Sequence, residues 1–172
     1  MQEMGIRVLD NWLDLEFCDH LAHDILYNMK HTYGHTSDHS KGTPRFYRAD
    51  FVGNNFHIKY MCRKLSREVI QSECQFSTPY ANIQFKGMDG TFHRDDGDFT
   101  IIYMVTPTLE GSGHFEYEDG YAVKQVDFVQ NRLVVFEGSA TLHRGLSPDS
   151  DLPRVTIAFK VTKRPSQSTQ GV

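Results

Sequence analysis

The sequence has few of the features that mark secreted, membrane-bound or nucleic-acid-binding proteins. Its three cysteines, Cys18, Cys62 and Cys74, lack Cys-x-x-Cys spacing, which argues against a disulfide framework and against a cysteine-based zinc site. No apolar run approaches the roughly 20 residues that a membrane-spanning helix needs, and residues 1–12 lack an apolar signal core. We therefore expect a soluble, cytoplasmic protein in a reducing compartment, with no membrane partner.

The chain also has no excess of positive charge. Its 18 Lys and Arg face 22 Asp and Glu, a formal net charge of -4, so a nucleic-acid partner is disfavoured, because non-specific affinity for phosphates comes from cationic side chains. Aromatic residues and glycines are plentiful, with 12 Phe, 8 Tyr and 13 Gly. This composition favours many short strands joined by tight turns.

The first part of the chain has helical periodicity. Apolar residues recur every three or four positions from Leu15 to Met29, with Asp14 as the expected N-cap, and again from Phe56 to Ile70. Lys64 and Glu68 should form a favourable pair on the second helix. Both helices are expected to brace a sheet.

Residues 31–44 are rich in polar and turn-forming types and predict a mobile loop. His31, His35 and His39 would form a metal-binding face on a helix, but Gly34 argues against a helix there, so a solvated loop is the preferred interpretation. The following segment, 43–48, interleaves arginines with aromatics. It suits a substrate lid or a cover for the core equally well.

After Pro79 the sequence turns to short runs of β-branched and aromatic residues. These runs predict strands at residues 80–85, 100–106, 114–117, 123–129, 133–136 and 155–161. The expected fold is α+β and mainly β, a barrel or two-sheet jelly roll braced by N-terminal helices. We predict one domain over residues 1–162, with a helical part at about 14–72, a catalytic barrel at about 79–162 and a disordered tail at 163–172.

Two histidines and one aspartate form the candidate metal site. In an extended segment, His93 and Asp95 lie on the same side of the backbone, and His143 follows fifty positions later, after the strand 133–136. A barrel can bring them together as a facial set of two histidines and one carboxylate, which leaves coordination positions open and suits non-haem Fe(II). The alternative is a salt-bridged turn at His93 and Asp95 that binds no metal.

Arg154 is the candidate anion-binding residue. It begins the strand 155–161, and Thr156 lies on its side of that strand. A guanidinium pairs well with a carboxylate, and the threonine hydroxyl can add a donor. For Arg94 and Arg144, a substrate contact and a surface ion pair are both compatible with the sequence. His114 is interpreted as a sheet-face residue.

These residues and their surroundings resemble the 2-oxoglutarate- and Fe(II)-dependent dioxygenases, especially the prolyl 4-hydroxylase-like branch. The resemblance covers about residues 79–162. It is carried by Phe92-His93-Arg94-Asp95, Thr100-Ile101-Ile102-Tyr103, Gly111-Ser112-Gly113-His114-Phe115, Arg132-Leu133-Val134-Val135-Phe136, Leu142-His143-Arg144-Gly145 and Arg154-Val155-Thr156-Ile157-Ala158-Phe159. Residues 8–18 are similar to the family's opening strand and helix. The chain departs from animal members at Phe85 and Met104, where tyrosines are usual.

The resemblance implies a double-stranded β-helix with iron at its mouth. His93, Asp95 and His143 would ligate Fe(II), and Arg154 would pair with the distal carboxylate of 2-oxoglutarate. The other candidate contacts to this cosubstrate are Tyr80, Asn82, Tyr103 and Thr156. Dioxygen would be the second cosubstrate, and the apolar walls are expected from Val135, Phe136, Ile157 and Phe159.

The function that the resemblance implies is hydroxylation of an unactivated C–H bond, with succinate and CO2 as coproducts. A protein or peptide substrate, with proline favoured, is the leading expectation. A free amino acid or another small molecule is an alternative, and oxidative demethylation of nucleic acid is disfavoured by the acidic balance. An alternative of another class is a non-catalytic metal-binding barrel that recognises a partner.

Overall fold

Two antiparallel sheets enclose a cavity, and two helices pack against the larger sheet. The computed structural model describes residues 5–38, 44–53 and 55–164. None of its helices in these ranges combines the length and the apolar character that crossing a membrane requires. The fold class expected from the sequence, mainly β with N-terminal helices, is confirmed.

The two helices begin where side-chain caps are available. Helix α1, Leu15–His23, starts after Asp14, whose side chain accepts a hydrogen bond from the Glu16 amide at 3.0 Å, and it continues as a π-helical segment, Asp24–Asn28. Helix α2, Phe56–Lys64, continues as a second π-helical segment, Leu65–Ile70. The expected Lys64–Glu68 pair is present, with Nζ and Oε2 2.6 Å apart.

Eleven strands are found in the described part of the chain. They are β1 (Arg7–Leu9), β2 (His31–His35), β3 (Phe46–Asp50), β4 (Cys74–Phe76), β5 (Tyr80–Gln84), β6 (Phe99–Met104), β7 (Phe115–Asp119), β8 (Ala122–Val126), β9 (Arg132–Phe136), β10 (His143–Gly145) and β11 (Arg154–Lys163). The larger sheet has the order β1-β9-β6-β11-β5-β3-β2, and β4 also pairs with β11. The smaller sheet has the order β10-β7-β8. All six strands predicted from composition are present.

The prediction of a loop over residues 31–44 is wrong at its start. Residues 31–35 form β2, which pairs with β3 and therefore gains hydrogen-bonded partners that local composition does not reveal. Gly34 has φ of 117°, and the register shifts between Tyr33 and His35, so this glycine lies at a bulge and does not end the strand. His39 lies outside the described residues.

The segment 43–48 mainly belongs to β3, the strand between β2 and β5. Phe46 is buried and lines the cavity, so this part of the segment is a wall, built into the sheet. Thr43 lies outside the described residues.

Strand β11 divides the interior into two parts because successive side chains point to opposite faces. Val155, Ile157 and Phe159 belong to the core between the larger sheet and the helices. Arg154, Thr156, Ala158 and Lys160 face the other way and line the cavity between the sheets. The last strand extends through Lys163, and residues 165–172 of the expected tail lie outside the described residues.

Candidate active site

Backbone hydrogen bonds bring the two histidines of the triad together. The amides of His93 and His143 each donate to the other's carbonyl at 3.0 Å, so the segment around His93 lies antiparallel beside β10. The Asp95 amide donates to the Gly138 carbonyl, also at 3.0 Å. A side chain at Gly138 would lie 2.7 Å from the Thr100 hydroxyl and 3.3 Å from the Asp95 Cβ, so a glycine is needed for this approach. The pairing predicted across fifty residues is therefore present.

The imidazoles are held with the same ring nitrogen facing the carboxylate. Nδ1 of His93 is 2.8 Å from the Thr91 carbonyl, and Nδ1 of His143 is 3.0 Å from the Thr141 carbonyl. A carbonyl oxygen can only accept a hydrogen bond, so Nδ1 is the donor in each ring and Nε2 is the nitrogen that faces the carboxylate. Nε2 of His143 lies 3.4 Å from Asp95 Oδ2, and Nε2 of His93 lies 3.7 Å from Oδ1.

These three side chains have the geometry of a metal-binding triad. Their ligand atoms all lie within 4.8 Å of one another. Hydrogen bonds from ligating histidines to carbonyls are the usual way in which proteins orient imidazoles toward a metal. The donor set, two nitrogens and one carboxylate oxygen, fits Fe(II) and leaves room for further ligands.

Asp95 is held in its ionised form. Burial raises its pKa, but this effect is outweighed by the hydrogen bond and charge interaction with His143, by the ammonium of Lys160 and by the Thr100 hydroxyl, so the net pKa is well below its usual value. Lys160 Nζ is 3.1 Å from Oδ1, and Thr100 Oγ1 donates to Oδ2 at 2.9 Å. A carboxylate that stays ionised can bind a metal ion without first losing a proton.

His93 is held in its neutral form. Burial lowers the pKa of this imidazole, and repulsion from His143 lowers it further, against the opposing effects of the Thr91 carbonyl and Asp95. A neutral imidazole is the form that ligates metals.

Arg154 lies in the same cavity and is 3% exposed. Its Nε donates to the Gly113 carbonyl at 2.8 Å, and its Nη1 donates to Gln84 Oε1 at 2.7 Å. Burial lowers its pKa to about 10, so the guanidinium is still charged at neutral pH. No carboxylate of the described residues lies within 4.0 Å of it, which leaves a buried positive charge without a counterion.

Three of the other predicted contacts line this cavity. Thr156 is 2% exposed and lies beside Arg154 on the cavity face of β11, opposite Asn82 on β5. The Oδ1 atom of Asn82 is buried and has no hydrogen-bond partner among the described residues. Tyr80 lies under the Arg48 guanidinium, 4.0 Å from its ring centroid, and burial raises the pKa of its hydroxyl.

The prediction that Tyr103 contacts the cosubstrate is wrong. Tyr103 pairs with Ile157 in the sheet, and its side chain lies on the helix side, in the core with Ile101. Its hydroxyl donates to Asn131 Oδ1 at 3.0 Å. Ile102, the neighbouring residue on β6, faces the cavity instead.

The expected apolar walls also need correction. Val135, Ile157 and Phe159 belong to the core on the helix side, because they alternate with the residues that face the cavity. Phe136 lies on the cavity side of the larger sheet, where its ring centroid is 4.5 Å from that of His143. The apolar residues that line the cavity are Phe46, Ile102, Phe115 and Ala158.

Sequence reasoning missed five polar residues of the cavity lining, which are His35, Thr36, Ser37, Gln84 and Lys160. Gln84 continues the cavity face of β5 at alternate positions from Tyr80 and Asn82, and Lys160 does so on β11. Alternation alone could have identified both. His35 also lines the cavity, where its ring centroid is 5.4 Å from that of Tyr80, but it was missed because β2 was interpreted as a loop.

The remaining charged candidates lie outside the cavity lining. Arg144 pairs with Glu116, with Nη2 and Oε2 2.7 Å apart, and Nε of Arg94 donates to the Ala140 carbonyl. Nδ1 of His114 lies 3.3 Å from Oδ1 of Asp127. Of the two roles considered for these arginines, substrate contact and ion pair, Arg144 has the second.

The fold is shared with solved oxygenase structures. No protein-family model matches the sequence, and no curated protein is detectably similar. An oxidoreductase of the 2OG-Fe(II) oxygenase family from Burkholderia pseudomallei superposes with a TM-score of 0.73 at 12% identity, over 95% of this chain and 87% of that one. A prolyl hydroxylase from Trichoplax adhaerens, in complex with a hypoxia inducible factor peptide fragment, gives 0.69 at 14%, over 92% and 84%.

A third structure extends the likeness to a protein with a small molecule bound. HygX from Streptomyces hygroscopicus, with nickel, 2-oxoglutarate and hygromycin B, gives a TM-score of 0.70 at 12% identity, over 98% of this chain and 86% of that one. The chain therefore has the jelly-roll fold of 2OG-Fe(II) oxygenases, as the sequence resemblance predicts.

Proposed function

We propose that this chain is a 2-oxoglutarate- and Fe(II)-dependent dioxygenase that hydroxylates an unactivated C–H bond and releases succinate and CO2. One observation carries the proposal. A triad of metal-ligand type shares its cavity with a buried guanidinium that has only neutral acceptors. The first group suits a divalent cation and the second an anion, so the cavity is complementary to a metal chelated by a dicarboxylic acid.

The roles of the residues follow from this complementarity. His93 and His143 would hold Fe(II) through Nε2, and Asp95 through a carboxylate oxygen. When bound, the iron supplies an open coordination face for the keto acid end of 2-oxoglutarate and for dioxygen. Arg154 pairs with the distal carboxylate and Thr156 donates to it, while Tyr80 and Asn82 flank the cosubstrate. The apolar walls, Phe46, Ile102 and Phe115 among them, exclude water.

For the substrate, we propose a protein or peptide, with a prolyl residue as the target. The proposal is supported by the motifs around His93, His143 and Arg154 and by the fold shared with the Trichoplax adhaerens prolyl hydroxylase. The likeness to HygX, which holds hygromycin B, supports a small-molecule substrate as the second candidate. The net charge of -4 still disfavours nucleic acid.

We also propose that the protein works in a reducing, cytoplasm-like compartment. Its three cysteines are free thiols, which suits such a compartment. We likewise propose that residues 1–162 form a single domain.

The substrate proposal is tested with proline-containing peptide libraries, Fe(II), 2-oxoglutarate and air. We expect peptides that gain one oxygen atom, in a fixed ratio to the succinate released, and neither product with Asp95→Ala. Succinate release without any oxidised peptide would contradict a peptide substrate. Oxidation of amino acids or sugars under the same conditions would favour the small-molecule candidate.

A further inference from the structure

We infer that Gln84 is a positioning residue that orients the Arg154 guanidinium while leaving its charge for an anionic ligand. The inference rests on the proposed function, in which that ligand is the distal carboxylate of 2-oxoglutarate. Gln84 is 3% exposed and pairs directly with Arg154 in the register of β5 and β11. It is therefore the cross-strand neighbour of the proposed anion-binding residue.

The orientation of the Gln84 amide is fixed by its other hydrogen bonds. Its Nε2 donates to the Met88 carbonyl at 2.7 Å and to the Gly145 carbonyl at 3.3 Å. Both partners are acceptors, so the amino group must face them and the amide oxygen must face Arg154. At 2.7 Å, this oxygen accepts a hydrogen bond from Nη1.

The guanidinium is in turn fixed on several sides. Nε is bonded to the Gly113 carbonyl, and the Phe128 ring centroid lies 5.3 Å from the Arg154 Cζ. The Cβ position at Gly145 lies only 2.9 Å from both Nη atoms, so the backbone of β10 borders the group closely. Two of the five guanidinium N–H groups donate to described residues, one on Nε and one on Nη1. Within the described part of the chain, both hydrogens on Nη2 therefore remain for a ligand.

The chemical identity of Gln84 explains why the site attracts an anion. An amide oxygen orients the guanidinium without neutralising it, whereas a carboxylate at the same position would form an internal ion pair. A buried charge with neutral partners gains most from an external counterion. Gln84 would therefore set the preference of the cavity for a ligand with a negative charge at its far end.

The test compares Gln84→Glu and Gln84→Met with the wild type and with Gln75→Glu. Gln75 is exposed on β4, so its substitution makes the same charge change outside the cavity. Under anaerobic conditions, calorimetry first measures Mn(II) binding by the metal-free proteins. It then measures binding of 2-oxoglutarate and of 2-oxopentanoate by the Mn(II)-loaded proteins. The last compound has the same carbon chain without the distal carboxylate, so the ratio of the two keto acid affinities reports charge preference.

For Gln84→Glu we expect 2-oxoglutarate affinity to fall about 100-fold, because hydrogen-bonded charge pairs in buried sites carry about that much free energy. For Gln84→Met we expect a fall of about 10-fold, because the guanidinium loses its orienting acceptor. In both variants, 2-oxopentanoate and Mn(II) affinities should stay within about threefold of wild type, since the metal end is unchanged. Gln75→Glu should match the wild type throughout.

Two results would overturn the inference. Gln84→Glu could retain the wild-type preference for 2-oxoglutarate over 2-oxopentanoate, or both variants could lose Mn(II) binding along with keto acid binding, which would indicate a general structural role. Failure of the proposed function is distinguishable from both. In that case the wild type would bind Mn(II) and would bind neither keto acid.

Discussion

Gly145 shows how a single residue can set the shape of the cavity. It lies two positions after His143 on β10, and its backbone borders the Arg154 guanidinium. An added Cβ would come within 2.9 Å of both Nη atoms, closer than such contacts normally are. Its φ is not in the left-handed region, so a substitution acts through this contact and not through backbone strain.

For Gly145→Ala we expect the 2-oxoglutarate affinity of the Mn(II)-loaded protein to fall at least about 10-fold, because a charged hydrogen bond is displaced. Mn(II) affinity should change little, since the hydrogen bond between His143 Nδ1 and the Thr141 carbonyl is kept. Calorimetry measures both. Gly5→Ala is the matched control, because a Cβ there meets no atom within 4 Å. Equal keto acid affinity in both variants would contradict the proposed place of the ligand.

Cys62 gives a residue-scale prediction outside the cavity. Burial raises the pKa of its thiol to about 11, with a further contribution from Cys74. At pH 8 the thiolate fraction is therefore very small, and alkylation of the folded protein by iodoacetamide should be far slower than that of the unfolded chain. Mass spectrometry of peptides over time checks this. Equal rates in the folded and unfolded protein would contradict the burial of this thiol.

At the scale of elements, the faces of β6 and β11 decide which residues reach the ligand. Alternation placed Arg154 and Thr156 together from the sequence alone, and both line the cavity. Tyr103 could not be assigned in the same way, because β6 is buried on both sides and carries apolar residues at successive positions. Its register against β11, which fixes the face, depends on contacts between strands far apart in sequence.

Tyr103 and Thr156 therefore make a contrasting pair of substitutions. Tyr103→Phe removes one hydrogen bond to Asn131 and should lower the free energy of unfolding by about 1 kcal/mol, with unchanged 2-oxoglutarate affinity. Thr156→Val keeps the shape of the side chain and removes its hydroxyl from the cavity, so 2-oxoglutarate affinity should fall several-fold. Urea denaturation and calorimetry measure the two quantities. An affinity loss in Tyr103→Phe would restore this residue as a ligand contact.

The Asn131 side chain joins the residue before the Asp14 cap to the residue before β9. Asn131, with φ of 64°, accepts from the Leu13 amide at 2.8 Å, and its Nδ2 donates to the Leu13 carbonyl at 2.7 Å. The sequence predicted the helix that follows and its Asp14 cap, because those signals are local. The attachment across 118 residues has no local signal, and the same is true of the pairing between β2 and β3.

At the scale of the whole molecule, the fold places groups from distant parts of the chain around one cavity. Residues from β2, β3, β5, β6, β7, β10 and β11 line it. His143 lies on the smaller sheet, Arg154 on the larger sheet, and His93 and Asp95 on the segment between β5 and β6. The sequence could name the four residues through their motifs. It could not show that Arg154 has no counterion or that Gln84 orients it, because both depend on packing.

A ligand that connects these elements should stabilise the entire domain. At 100 times its dissociation constant, a ligand adds about 2.7 kcal/mol of stability. For a domain of this size, we expect Mn(II) with 2-oxoglutarate to raise the Tm by roughly 5–10 °C. Thermal denaturation followed by circular dichroism measures the shift. Asp95→Ala should lose it, and an equal shift in that variant would contradict binding at the triad.

The central claim is that His93, Asp95 and His143 hold Fe(II) while Arg154 holds the far end of 2-oxoglutarate. Anaerobic addition of Fe(II) and 2-oxoglutarate tests it directly through the weak visible charge-transfer band of the chelate. We predict this band in the wild type, its loss in Asp95→Ala, and its recovery in Arg154→Ala only at much higher 2-oxoglutarate concentration. A wild-type protein that shows no band, or an Asp95→Ala variant that retains it, would contradict the claim.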